Sequence, residues 1–129
     1  MIVLDACVLI SYLGPGDAHT NAAASILDTE DQLFLHPFTL SECAVGHARL
    51  DQINEFRRDV ERLGLDIWQP DEGHWYRVAQ VAASTGLKPP DCCVLDTART
   101  LVGSLATFDE RLTKVARSMG IPVDDGTNH

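Results

Sequence analysis

Residues 1–13 read Met1-Ile2-Val3-Leu4-Asp5-Ala6-Cys7-Val8-Leu9-Ile10-Ser11-Tyr12-Leu13. The first five are a short aliphatic and β-branched run closed by an acid. This predicts a buried strand with Asp5 at its C-terminal edge. No basic leader precedes the run and Asp5 interrupts it, so a strand explains it better than a signal peptide. A short helix over about 7–13 should follow, and Gly14-Pro15-Gly16 breaks it.

Working outward, the same alternation of strand and helix recurs. Asp17 is placed to cap a helix through about Leu27, with Ala22, Ala23, Ile26 and Leu27 on one side. Leu33-Phe34-Leu35 predicts a second strand, closed by His36-Pro37. A helix beginning at Thr39 or Ser41 carries Glu42, Val45 and Leu50. A polar helix over 51–63 places Ile53, Phe56, Val60 and Leu63 at helical spacing and stops at Gly64. Leu65-Asp66-Ile67-Trp68 predicts a third strand. Asp71 should cap a helix over about 72–85 with Trp75, Val78, Ala79 and Ala82 inward. Pro89-Pro90-Asp91 opens a helix to about Leu101, since proline suits a first turn and Asp91 the positive dipole end. Ser104–Thr107 predicts the fourth strand, and a helix over about 110–119 leads to an edge strand at Ile121-Pro122-Val123. The tail from Asp124 to His129 is expected to fray. Alternation throughout implies an α/β layer structure with a parallel sheet, whose ligands bind outside the C-terminal strand ends.

The bulk properties narrow the classes. With 129 residues, of which 45% are hydrophobic, the expectation is one domain spanning 1–129. No apolar run approaches the ~20 residues that cross a bilayer, so no membrane partner is expected and a cytoplasmic location is favoured. Cys7, Cys43, Cys92 and Cys93 form no C-x-x-C pair and lack zinc-site spacing, so they read as reduced thiols. The net charge of −9, from 19 acids against 10 Lys and Arg, opposes nucleic-acid binding through a basic surface. Metal ions can supply the missing positive charge locally.

That directs attention to where carboxylates gather. Asp5 ends the first strand, Glu42 sits early in the helix after the second, Asp91 opens a helix, and Asp109 follows the fourth strand. Converging carboxylates repel one another and raise each other's pKa, and a divalent cation relieves this. Oxygen-only ligands select hard ions such as Mg²⁺ or Mn²⁺, which can activate water against a phosphodiester. Capping alone could explain Asp91, but not an acid closing an apolar strand, as Asp5 does.

The chain resembles a PIN domain over nearly its full length, and within that family the VapC-type toxins of VapBC toxin–antitoxin systems. The segments carrying the resemblance are IVLDACVLISYL around Asp5, TLSECAVG around Glu42, LKPPDCCVLDTA around Asp91 and GSLATFDERL around Asp109, in matching order and spacing. The resemblance implies a three-layer α/β fold with a short-stranded parallel sheet of about five strands flanked by helices. It implies a Mg²⁺- or Mn²⁺-dependent endoribonuclease in which Asp5, Glu42, Asp91 and Asp109 bind the metal and carry catalysis. Thr107 would position the fourth acid or a bound water. The implied products are a 5′-phosphate and a 3′-hydroxyl, the substrate a structured RNA such as tRNA or rRNA, and the partners an antitoxin and a second copy in a homodimer. An arginine from the antitoxin tail would suit the acidic cleft.

One departure stands beside the first acid. The family often has a hydroxyl residue or Asn there, and this chain has Ala6-Cys7, so hydrogen bonds are lost or replaced. The alternative is therefore a catalytically weakened, protein-binding module. An aspartate-nucleophile phosphatase would need an acid at Cys7, and a receiver domain would need one at Leu4. Asp96, five residues beyond Asp91, lies about 140° around a helix from it, so it is expected to be structural or to support the site from behind. Arg49, Arg57, Arg58 and Arg62 suit a solvated face paired with Glu55, Asp59 and Glu61. Arg111 and Lys114 are better placed to meet phosphate. His36 and His47 are expected at the surface or satisfied in the core, and Trp68 and Trp75 in the core.

Overall fold

The computed structural model describes residues 1–14, 17–29 and 31–127. Strands β1 (Ile2–Leu4), β2 (Leu33–Leu35), β3 (Asp66–Ile67), β4 (Ser104–Ala106) and β5 (Val123–Asp124) form one sheet in the order β3-β2-β1-β4-β5. Every pairing is parallel. Among the described residues the helices are α1 (Ala6–Leu13), α2 (Thr20–Leu27), α3 (Pro37–Arg49), α4 (Ile53–Arg62), α5 (His74–Thr85), α6 (Pro89–Leu101) and α7 (Glu110–Ser118).

The three layers follow from the two-residue period of the strands. Ile2, Leu4, Leu33, Leu35 and Ala106 face one core with Val8, Leu9, Ala23, Ile26, Phe56 and Val60 from α1, α2 and α4. Val3 and Leu105 face the opposite core with Val78, Val81, Leu95, Ala98, Leu112 and Ala116 from α5, α6 and α7. Both faces of β1 are covered, which is why residues 2–4 are apolar without alternation. The expected α/β architecture is the one observed.

Several local expectations change. Helix α3 begins at Pro37, not at Thr39 or Ser41. His36 supplies the cap, with Nδ1 accepting from the Phe38 N–H at 3.0 Å, and Pro37 takes the first helical position. Asp17 and Asp71 do not cap helices. Each closes a turn short of one, accepting from the N–H of His19 at 2.8 Å and of Gly73 at 3.0 Å. Helix α5 consequently starts at His74, and its buried stripe is His74, Val78 and Val81. Trp75 and Ala79 point outward, with Trp75 72% exposed, whereas Trp68 is buried as expected. Burial followed the polar His74 because its ring finds buried partners. In α4, Phe56 and Val60 are buried but Ile53 is exposed.

The expected edge strand lies slightly later, at Val123–Asp124, with Pro122 just outside it and its carbonyl accepting from the Leu105 N–H at 2.8 Å. Asp124 is therefore part of the sheet and not of a frayed tail. Its Oδ1 accepts from the Gly126 N–H at 2.9 Å. Pro15 and Gly16 of the expected helix break, and Asn128 and His129 of the tail, lie outside the described residues.

Candidate metal centre

Asp5 continues the sheet through its own N–H, which donates to the Ala106 carbonyl at 2.9 Å, and then caps α1. Its Oδ1 accepts from the Ala6 N–H at 2.9 Å. Its Oδ2 accepts from Thr107 Oγ1 at 2.8 Å and from the Cys7 thiol at 3.3 Å. Thr107 is fully buried and leaves the end of β4, so the hydroxyl locks the first acid to the strand beside it. The same Oγ1 accepts from the Asp109 N–H at 3.1 Å. Asp109 caps α7, its Oδ1 accepting from the Leu112 N–H at 2.9 Å.

Glu42 and Asp91 come from α3 and from the first turn of α6. Both carboxyls sit above their ordinary range. For Glu42 the cause is burial, then the charges of Asp5 and Asp91. For Asp91 it is burial, then Asp5 and Asp109, partly offset by Arg111 and Lys88. The electrostatics thus join all four acids, with Asp5 and Asp91 common to both sets. Their oxygens are not drawn tightly together. Among the described residues, the trio whose ligand atoms all lie within 4.8 Å of one another is His36, His74 and Cys93 instead. A donor set of carboxylate oxygens that repel one another fits a hard divalent cation, which would relieve the repulsion.

Asp96 is not brought to this cluster. It is fully buried, and both its oxygens are committed elsewhere, to His74 Nδ1 at 2.6 Å and to Arg77 Nε at 2.9 Å and Nη2 at 3.0 Å. Burial pushes its carboxyl up, but the hydrogen bonds from Arg77 and His74 outweigh this and hold it below the ordinary range. Through these bonds it ties α5 to α6. Sequence reasoning missed His74 and Arg77 because their partner lies 22 and 19 residues away on another helix. His36, expected at the surface or satisfied in the core, is the latter, hydrogen-bonded to His74 at 2.9 Å. His47 stacks on Phe56 with ring centroids 4.7 Å apart.

Cys7 occupies the position where a hydroxyl or Asn was looked for. The thiol gives Asp5 a donor and accepts from the Phe108 N–H at 3.4 Å. Replacement, not loss, is what the structure has at this position. On α4, Arg57–Glu61, Arg58–Glu55 and Arg62–Asp59 form exposed pairs at 3.5–3.6 Å, the solvated face expected of them.

The family profile of the PIN domain matches residues 2–118. The chain belongs to the PIN-domain family. A search of curated proteins finds no match. Among solved structures, this PIN domain is similar to a toxin–antitoxin complex from Klebsiella pneumoniae, with TM-score 0.74 and 21% identity over 88% of this chain and 90% of the other. It is also similar to FitAcB from Neisseria gonorrhoeae, with TM-score 0.73 and 22% identity over 98% of each chain. A Pyrobaculum aerophilum protein aligns with TM-score 0.65 and 19% identity over 96% of this chain and 89% of its own. The PIN fold is thus shared at low identity across these structures.

Proposed function

We propose that this PIN domain is a Mg²⁺- or Mn²⁺-dependent endoribonuclease, the toxin of a toxin–antitoxin pair, and that the domain extends over the whole of residues 1–129. The observation carrying the reading is the link that Thr107 makes between Asp5 and Asp109 beyond the C-terminal ends of β1 and β4, with Glu42 and Asp91, raised first by burial and then by neighbouring acids, close enough to feel their charge. These four residues would hold the ions. Bound there, such ions supply activation of water and neutralisation of a phosphodiester.

The chain's own residues prepare that site. Thr107, Cys7 and the Ala6 N–H hold Asp5 in one rotamer. Asp91 lies at the positive end of the α6 dipole, with Arg111 and Lys88 nearby to meet a phosphate. Holding the substrate phosphate at a fixed ligand set supplies proximity and orientation. The acidity of the chain, −9 overall, is compatible with RNA only if cations are recruited at this edge.

The antitoxin partner is supported by the similar Klebsiella toxin–antitoxin complex and rests on likeness of fold. A guanidinium from a partner segment is the group that the carboxylate cluster would accept. A homodimer and a structured RNA substrate rest on family membership. The alternative, a weakened binding module, rests on Ala6-Cys7, and against it the Cys7 thiol supplies Asp5 with a donor at 3.3 Å.

The test is incubation of the purified chain with pooled cellular RNA and Mg²⁺ or Mn²⁺, beside Asp5→Ala and an EDTA control. Cleavage that requires the metal and disappears in the variant is the expected result. Intact RNA, with no metal uptake in calorimetry, would support the binding module instead.

A further inference from the structure

Two residues after Asp91 on α6, Cys93 meets two side chains from separate elements, and the charge of Glu42 still reaches its thiol. His36 follows β2, His74 opens α5, and Cys93 lies on α6. Their ligand atoms all lie within 4.8 Å of one another, and both histidines are buried. The two Nε2 atoms are 2.9 Å apart. Among the described residues Cys93 Sγ has no hydrogen-bond partner, although it faces this pair.

The proton positions follow from the outer partners. His36 Nδ1 accepts from the Phe38 N–H, so in the neutral ring Nε2 carries the proton. His74 Nδ1 donates to Asp96 at 2.6 Å, which leaves its Nε2 lone pair facing inward, where it accepts from His36 Nε2–H at 2.9 Å. Asp96 is itself clamped by Arg77. A histidine whose far nitrogen donates to a held carboxylate is the arrangement that orients metal-binding imidazoles.

We propose that His36, His74 and Cys93 form a binding site for a borderline transition-metal ion of the zinc class, separate from the carboxylate site. Two imidazole nitrogens and a thiolate select zinc, cobalt or copper over magnesium, manganese or calcium. Bonds of about 2.0–2.1 Å at tetrahedral angles separate two nitrogens by roughly 3.3 Å, so the histidine pair needs to open only slightly. Loading exchanges the Cys93 thiol proton, released to solvent, for the ion. It also moves the His36 proton from Nε2 to Nδ1, which ends the cap on the Phe38 N–H. The site therefore reaches both α3, which carries Glu42, and α6, which carries Asp91. Cysteine spacing could not point to it, because the ligands lie 38 residues apart and further along the chain. The proposal does not depend on nuclease activity.

The experiment is an anaerobic Co²⁺ titration of the full chain in an Asp5→Asn, Glu42→Gln background, which disables the carboxylate site. The expected result is a thiolate-to-cobalt charge-transfer band saturating at a single equivalent. Zn²⁺ should abolish it, and about a thousandfold excess of Mg²⁺ should not. Cys93→Ser should lose the band while Cys7→Ser keeps it. His74→Asn should weaken binding at least about tenfold. His36→Asn should do the same while its side chain still caps α3, and circular dichroism verifies that each variant is folded. Absence of the band in the folded parent would overturn the proposal. So would a band that survives Cys93→Ser and is lost with Cys7→Ser, which would place the thiolate beside Asp5.

Discussion

Thr107 Oγ1 donates to Asp5 Oδ2 at 2.8 Å across 102 residues of sequence, and the same oxygen accepts from the Asp109 N–H at 3.1 Å. One buried hydroxyl therefore sets the relative position of two candidate ligand residues. Thr107→Val removes both bonds and is expected to destabilise the fold by about 1–3 kcal/mol. Under the nuclease reading, RNA cleavage should fall by about tenfold to a hundredfold, because misplaced ligands lose orientation. Thr107→Ser should retain most of both. Denaturant melts beside cleavage rates decide it, and an unaffected rate in Thr107→Val would refute the positioning role.

Burial first, and then the charges of neighbouring acids, raise the carboxyls of Glu42 and Asp91 in the native state. Such groups hold protons more tightly folded than unfolded. In EDTA their effect is therefore that stability declines as pH rises from the ordinary carboxylate range through the raised values. Asp91→Asn should raise metal-free stability by about 0.5–1 kcal/mol, and the exposed Glu42→Gln by only a few tenths of a kcal/mol after solvent screening. With Mn²⁺ the order should invert, since binding stabilises only the protein that keeps its ligands. Thermal melts with and without metal are the measurement.

The opposite sign applies at the buried His36–His74–Asp96 chain. Burial, then the charge of His74, pushes His36 down from 6.5 to about 4, with Asp96 opposing. The groups facing it are His74, Asp96 and, through Asp96, Arg77, with Cys93 alongside. As pH falls below 6.5 the unfolded chain takes up a proton that the native ring refuses. Up to about 3 kcal/mol is therefore lost between pH 6.5 and 4. The carboxyl of Asp96, held below its ordinary range, adds a further loss at still lower pH. His36→Asn should flatten the upper part of this profile in metal-free urea melts. Asp96→Asn takes the charged acceptor from His74 and Arg77, although Arg77 keeps Asp71 at 2.7 Å, and should lower stability at neutral pH in the same melts.

Burial, then Asp5, raises the Cys7 thiol to about 11, and burial foremost raises Cys43 to about 12. Both are neutral at physiological pH. Iodoacetamide should label them at least about a hundredfold more slowly in the native chain than after unfolding. Cys7→Ser, which keeps a donor on Asp5, should preserve cleavage, and Cys7→Ala should lower it. Rapid native labelling of Cys7 by mass spectrometry would contradict the geometry.

Val102 ends α6 in the left-handed region, with φ 54° and ψ 42°, and is 90% exposed. A β-branched residue is disfavoured there and buries nothing in return. Val102→Gly should stabilise the chain by about 0.5–1 kcal/mol in a urea melt. At the adjacent Gly103 a Cβ would lie 2.8 Å from the Met1 carbonyl oxygen, so Gly103→Ala should destabilise it.

Much of the fold was legible because its signals are local. Residues 2–4 and 33–35 are short apolar runs, closed by Asp5 and by His36-Pro37, residues 104–106 follow Gly103, and the helix after Pro89-Pro90 carries its own start signal. Asp5, Asp91 and Asp109 stand out as candidates because each sits at an element end that can be read one segment at a time. What was misplaced depends on partners far along the chain. Helix α3 begins early because the His36 ring takes the cap, and Trp75 faces solvent because His74 has buried partners.

The sequence by itself determined the alternation of strands and helices, the unalternating apolar character of β1, and the acids placed where strands end, because these follow from neighbours within one turn or one strand. Only the tertiary structure decided that Thr107 bridges Asp5 and Asp109, that the Cys7 thiol gives Asp5 a donor, and that His36, His74 and Cys93 converge. Such contacts depend on strand order and helix rotation, which parallel pairing across long crossovers sets and which no local window of residues encodes.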